Sequence, residues 1–72
     1  MSETERHPYS FEVREYRDGT PWIVLEPRGT KLAILGNGFL GFHLPKGTTA
    51  ESAEEIAEFL RRYITEVSYT SF

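Results

Sequence analysis

Alternating apolar and polar residues recur in short stretches through the first part of the chain. Four of these stretches, separated by turns that contain glycine, predict β-strands at residues 10–16, 20–26, 31–35 and 39–44. From residue 49 to 66 the apolar residues instead recur at steps of three and four, which predicts one amphipathic helix. The pattern therefore indicates an α+β fold, a four-stranded antiparallel β-meander followed by one C-terminal α-helix packed on one face.

The turn between the first two strands decides which of their residues face each other. A three-residue turn that ends at Gly19 pairs Val13 with Ile23 and Phe11 with Leu25. A two-residue turn at the same place would mix the two faces of the sheet. We therefore predict the three-residue turn, which also places Gly19 where a positive φ is needed.

This register sorts the apolar residues onto two faces of the sheet. The inner face, toward the helix, is predicted to hold Phe11, Val13, Ile23, Leu25, Leu32, Ile34, Leu40, Phe42 and Leu44. The outer face retains Ala33 and other apolar residues that the helix, about 10 Å wide, cannot also cover. This surplus apolar surface predicts a binding partner, contacted by Arg14, Tyr16, Trp22, Val24, Leu35 and Phe39.

The two ends of the chain carry different signals. Residues 1–8 are polar, lack periodicity and end in a proline, so we expect a flexible N-terminal tail ahead of one domain at residues 9–72. Residues 67–72 are rich in strand formers and are predicted either to add a short fifth strand or to pack across the outer face. The helix has two candidate N-caps, because Thr48 matches the spacing of a capping box and Thr49 fits equally well.

The composition narrows the class of protein. The chain has 72 residues and no cysteine, so disulfides and thiolate metal sites are excluded, and a domain this small needs another source of stability such as oligomerisation. Its net charge of −3 argues against a dedicated nucleic-acid-binding protein. No apolar run approaches the ~20 residues of a membrane span, and the polar start does not resemble a secretory signal. We therefore expect a cytoplasmic protein without membrane contact.

Three features resemble catalytic or ligand-binding motifs without the context that such chemistry needs. Residues 36–41 match G-x-G-x-x-G, yet a predicted strand follows them where a dinucleotide site needs a helix. We interpret them as a glycine-rich hairpin in which Gly41 allows a ring or another backbone to approach closely. His43 lacks a nearby nucleophile and orienting group, and the glutamates early in the helix form a solvated face. No catalytic residue, metal or cofactor is therefore predicted, and we do not expect an enzyme.

These observations predict a small non-catalytic protein-interaction module. We expect a homodimer formed through the outer face, with Trp22 and Phe39 as anchors. A regulatory or inhibitory role on a larger protein partner is compatible with the same surface. The alternative function is binding of single-stranded nucleic acid, because basic and aromatic side chains such as Arg14 and Tyr16 share that sheet face.

Overall fold

Four β-strands and one α-helix make up the fold. The computed structural model describes residues 3–72, in which the strands are β1 (Glu3–Glu15), β2 (Pro21–Pro27), β3 (Leu40–His43) and β4 (Glu66–Ser71). The helix α1 (Ala50–Tyr63) packs on β1 and β2, and a short 3₁₀ helix spans Ala33–Leu35. The strands form one antiparallel sheet in the order β3-β2-β1-β4. The predicted α+β class, with a helix on one face of a four-stranded antiparallel sheet, is confirmed.

β1 and β2 pair in the predicted register. Val13 lies opposite Ile23, and Phe11 lies opposite Leu25. Gly19 has a φ of 85°, the positive value that the three-residue turn requires, and its N–H closes the turn with a hydrogen bond of 2.9 Å. The hydrophobic pattern and the turn chemistry therefore agree on this hairpin.

The predicted third strand at residues 31–35 is wrong. Ala33–Leu35 form the 3₁₀ helix, and the fourth predicted strand pairs directly with β2 as β3. The cause lies at Leu32, whose side chain is buried in the core and whose backbone N–H donates to the Tyr9 hydroxyl at 2.8 Å rather than to a neighbouring strand. The meander therefore has three strands, and Ile34, predicted on the inner face, is 58% exposed.

The two ends of the chain pair with each other. β1 begins at Glu3, and residues 3–8 of that strand pair with β4. Residues 3–8 therefore form part of a strand and not the flexible tail that we predicted. The prediction for residues 1 and 2 lies outside the described residues. Strand formers near the C-terminus supply the hydrogen-bonding edge that orders the N-terminal segment. Of the two alternatives for the C-terminus, the structure contains the strand, at the edge of the sheet beside β1.

The hydrophobic core lies between α1 and the inner face of the sheet. Its central cluster consists of buried residues from the two central strands, the loop after β2 and the helix: Tyr9, Phe11, Ile23, Leu25, Leu32 and Ala57. Ala53 and Ala57 are fully buried, because their small side chains let the helix backbone approach the sheet. Near the end of α1, the Arg61 guanidinium donates a hydrogen bond to the carbonyl oxygen of Phe11. This contact fixes the helix over β1.

The helix begins at Ala50 because Thr49 caps it. The Thr49 hydroxyl accepts a hydrogen bond of 3.1 Å from the backbone N–H of Ser52, which decides between the two candidate caps. The helix ends at Tyr63, earlier than predicted, because Ile64 already has extended backbone angles that lead into β4.

Candidate protein-interaction surface

Five of the six predicted contact residues lie together on the outer face. We call Arg14, Tyr16, Trp22, Val24 and Phe39 the outer aromatic surface. Four of them, all except Tyr16, line one open groove together with Glu15 and Glu26. Tyr16 joins them through its ring, which stacks on that of Trp22 with centroids 5.4 Å apart and an interplanar angle of 15°. The alternation along β1 and β2 therefore identifies these neighbours correctly.

Leu35 does not belong to this surface. It lies in the 3₁₀ helix, half-buried, and packs against the core cluster on the helix side of the sheet. The predicted row of Trp22, Leu35 and Phe39 across neighbouring strands is therefore wrong, because the strand that would have carried Leu35 does not form.

Trp22 is packed within the chain. A Cβ atom added at Gly41 would lie 2.7 Å from a carbon of the Trp22 ring, so the glycine leaves the space that the ring occupies. This close approach confirms the expectation that Gly41 allows a ring to approach. His43 lies opposite Trp22 on β3, and its ring stacks on Tyr16 at 5.9 Å and 19°. The three rings form a cluster in which Trp22 is half-buried, whereas Tyr16 is 42% exposed.

The charged groups of the outer face are largely engaged by neighbours. Arg14 forms an ion pair with Glu26 across the strands and donates to the carbonyl oxygen of Val13 at 3.1 Å. Lys31 places a cation over an aromatic ring, because its Nζ lies 4.1 Å from the centroid of Phe39. Phe39 is 61% exposed, which makes it the most exposed aromatic residue of the outer aromatic surface.

A second apolar surface, which the sequence analysis did not predict as a contact, lies on the helix side of the sheet. We call Leu40, Phe42, Ile56, Phe59 and Tyr63 the helix-side surface. Leu40 and Phe42 face the same side as the core, but α1 packs on β1 and β2 and leaves them 45% and 43% exposed. Phe42 contacts the core through the ring of Phe11, with centroids 5.9 Å apart.

The helix contributes its exposed flank to this surface. Arg61 lies on the flank of α1 that reaches β1, where its guanidinium donates to the carbonyl oxygen of Phe11. Phe59 and Tyr63 lie on the side of α1 that the sheet does not cover, since Phe59 is two residues, about 200° around the helix, from the buried Ala57. Their rings contact each other at 4.9 Å, and both side chains are more than 60% exposed. Phe59 lies outside the stripe that the sheet buries and is an apolar residue on the exposed side of the helix.

The carboxylates with lowered pKa values serve structural roles away from both surfaces. The hydrogen bond from His7 and the backbone N–H of Ala33 lower the pKa of Glu5. The bond of 2.8 Å to His7 lies within β1, whereas the bond of 3.1 Å from Ala33 connects β1 to the 3₁₀ helix. In the turn before β2, the backbone N–H of Thr20 donates to Asp18 at 2.9 Å and lowers the pKa of that carboxyl.

The remaining chemistry of residues 3–72 is sparse. His43 has the Tyr16 hydroxyl 3.4 Å from its Nε2 atom, and the described residues contain no group of three or more His, Asp or Glu side chains arranged to hold a metal ion. α1 has 14 residues, fewer than a membrane-crossing helix requires, and no other α-helix occurs in this part of the chain. Comparisons with protein-family models, with curated proteins and with solved structures gave no match to this chain.

Proposed function

We propose that this protein is a small non-catalytic interaction module that binds a second copy of itself, with the outer aromatic surface at the contact. The observation that carries the proposal is the balance of buried and exposed apolar groups. Within residues 3–72, eight hydrophobic residues are buried and two of those are alanines, whereas eleven large hydrophobic residues are exposed. Five of the exposed residues keep more than half of their surface in contact with water, and this is apolar area that a partner can cover: Ile34, Phe39, Phe59, Tyr63 and Phe72.

The surface area supports the same proposal. A compact monomer of 8.3 kDa exposes about 4,600 Å², whereas this chain exposes 5441 Å². Its radius of gyration is 13.7 Å, compared with about 11 Å for a compact domain of this length. The extended pairing of β1 with β4 accounts for part of the difference. The remaining surplus is surface available to a partner.

Phe39 is the residue of the outer aromatic surface that a partner can cover most directly. It is 61% exposed, whereas Val24 is 4% exposed and Trp22 already packs on Gly41. Burying a phenylalanine side chain contributes about 1.5–3 kcal/mol, and aromatic residues near the centre of an interface commonly carry much of its energy. Phe39 is therefore a sharper test position than Trp22, whose loss also removes packing within the chain.

Sedimentation equilibrium of Phe39→Ser and Phe72→Ser tests the proposal. Phe72 is fully exposed and lies outside the outer aromatic surface, so it is the matched control for the loss of an exposed phenyl ring. We expect the first variant to dissociate at concentrations where the second and the unmodified chain stay dimeric. Dimers of equal affinity in all three proteins would remove the outer aromatic surface from the contact.

Binding of single-stranded nucleic acid is the alternative outcome for the same surface. The stacked rings of Tyr16, Trp22 and His43 resemble a platform on which bases can stack. The pairing of Arg14 with Glu26 and the net charge of −3 favour a protein partner instead. Fluorescence anisotropy of a labelled single strand at low salt separates the two, and salt-dependent binding lost in Trp22→Ala would favour nucleic acid.

Two further expectations from the sequence stay predictions. A cytoplasmic location is tested by fractionation of the native host. A regulatory or inhibitory role requires a larger partner that competes with self-association for the outer aromatic surface. Such a partner would bind the unmodified chain more tightly than Phe39→Ser.

A further inference from the structure

We infer that the two copies join through the free edge of β3, so that their four-stranded sheets continue into one another. This inference rests on the proposed self-association and specifies its geometry. β3 is the last strand on one side of the sheet, and its outward backbone groups therefore have no strand partner among residues 3–72. A strand from another molecule can pair with such an edge.

β3 is a short edge strand without the charges and prolines that often protect such an edge. Its four residues, Leu40–His43, include no lysine, arginine, carboxylate or proline. Charges and prolines on edge strands are common protection against pairing with other molecules. In addition, the whole sequence contains eleven Asp and Glu residues, and none of them lies between Pro27 and Ala50. The stretch that contains β3 therefore carries no carboxylate, and Glu26, which lines the same groove as Phe39, is paired with Arg14.

Exposed apolar groups flank β3 on both faces of the sheet. Leu40 and Phe42 lie on the helix side and are 45% and 43% exposed. On the outer face, Phe39 precedes the strand. A partner strand added at this edge covers groups of both named surfaces at once, and this explains why the exposed apolar residues are divided between two faces.

The sequence of β3 is self-complementary in an antiparallel pair. A two-fold axis at Gly41 places Leu40 opposite the partner's Phe42, and the same contact is repeated on the other side of the axis. Directly opposed side chains of an antiparallel pair lie on the same face and about 4.5–5.5 Å apart, so these two apolar residues meet twice in each dimer. On the outer face, Phe39 comes opposite the partner's His43. A second copy of the chain therefore fits this edge without any change in the strand.

The opposite edge of the sheet is less suited to the same contact. β4 is longer than β3, but Glu66, Ser68 and Thr70 lie on its outer face. A partner strand added beside β4 would therefore bury these polar side chains. The ion pair between Glu66 and Arg6 is exposed. Pairing through β4 thus buries more polar and charged side chains than pairing through β3, whose only polar side chain is that of His43.

Hydrogen exchange of the unmodified chain and the affinity of two lysine variants test the inference. Leu40→Lys adds a charge to the β3 edge, and Ile34→Lys makes the same kind of change at an exposed position of the 3₁₀ helix. We expect the first variant to weaken dimerisation by about tenfold or more and the second to change it by about twofold at most. In the unmodified chain, amides of β3 should exchange more slowly above the dimerisation concentration than below it, while those of β4 should not change.

The outcomes separate this inference from the proposed function. A chain that stays monomeric removes both. A dimer that tolerates Leu40→Lys, or one that protects β4 amides rather than those of β3, removes the β3 contact and leaves self-association in place. The exchange measurement needs no variant, so the inference can be overturned even if Leu40→Lys fails to fold.

Discussion

The ring of Trp22 occupies the space that a side chain at Gly41 would need. Trp22 is on β2 and Gly41 is on β3, and a Cβ atom at the glycine would approach two ring carbons to 2.7 and 2.9 Å. The ring of Tyr16 stacks on the ring of Trp22 and limits how far the indole can move. The pair therefore connects the short edge strand to the centre of the sheet through side-chain packing in addition to backbone hydrogen bonds.

Gly41→Ala should destabilise the protein by about 1–3 kcal/mol, because the methyl group must displace the Trp22 ring. Urea unfolding measures this change, and fluorescence reports the displacement directly because Trp22 is the only tryptophan. Gly29→Ala is the matched control. A Cβ atom at Gly29 meets no atom within 4 Å, and its φ is outside the left-handed region. Equal stability of both variants would contradict the packing described for Trp22.

Thr49→Ala should cost about 1 kcal/mol of folding stability, since it leaves the N–H of Ser52 without its side-chain acceptor. Thr48→Ala should cost less, because the Thr48 hydroxyl donates to the carbonyl oxygen of Pro45 and does not cap the helix. Thermal unfolding followed by circular dichroism compares the two variants. A larger loss from Thr48→Ala would show that the other candidate is the cap.

Glu5→Gln should lower the thermal midpoint at neutral pH and have little effect in acid. The pKa of Glu5 is lowered from its ordinary value of 4.5 by the hydrogen bond from His7 and by the N–H of Ala33. The folded state therefore favours the carboxylate, and this stabilisation is present above about pH 4.5 and is lost as the pH falls through the lowered pKa. Melting both proteins at about pH 7 and about pH 3 should show the difference shrinking.

Glu58→Gln is the control for this pH dependence. Glu58 is exposed on α1, and its carboxylate makes none of the hydrogen bonds or ion pairs found in residues 3–72. Its midpoint should differ little from that of the unmodified chain at either pH. A difference for Glu5→Gln that stays constant with pH would argue against a role for the charge of Glu5.

Arg61→Met should destabilise the fold by about 1.5–3 kcal/mol, the usual range for a hydrogen bond that involves a charged group. The guanidinium donates to the Phe11 carbonyl oxygen and also pairs with Glu54 at 2.8 Å. Arg62→Met is the control, because that neighbouring side chain is exposed and makes neither contact. Chemical denaturation of both variants measures the difference, and similar losses would show that Arg61 does not hold the helix on β1.

Local pattern and turn chemistry were sufficient to predict the β1–β2 hairpin and the amphipathic helix α1. Val13 opposite Ile23 follows from alternation, and Gly19 at the turn follows from the need for a positive φ. These features depend on residues that are close in the sequence. For the same reason, the outer positions of Trp22, Val24 and Arg14 could be predicted before the rest of the sheet was known.

The errors arose where distant residues decide the local structure. The N–H groups of Leu32 and Ala33 bind Tyr9 and Glu5, which lie more than twenty residues earlier, and these bonds replace the expected strand. Residues 3–8 carry no apolar alternation, and they are ordered by pairing with β4 at the far end of the chain. The first of these errors also explains why Leu35 was wrongly predicted on the outer face. No periodicity within either segment contains this information.

The mass of the unmodified chain in solution tests the central claim, self-association, most directly. Sedimentation equilibrium across a concentration series should give a mass that rises from the 8.3 kDa of one chain to twice that value. A mass that stays at that of one chain up to about 1 mM, where even weak dimers form, would contradict the account.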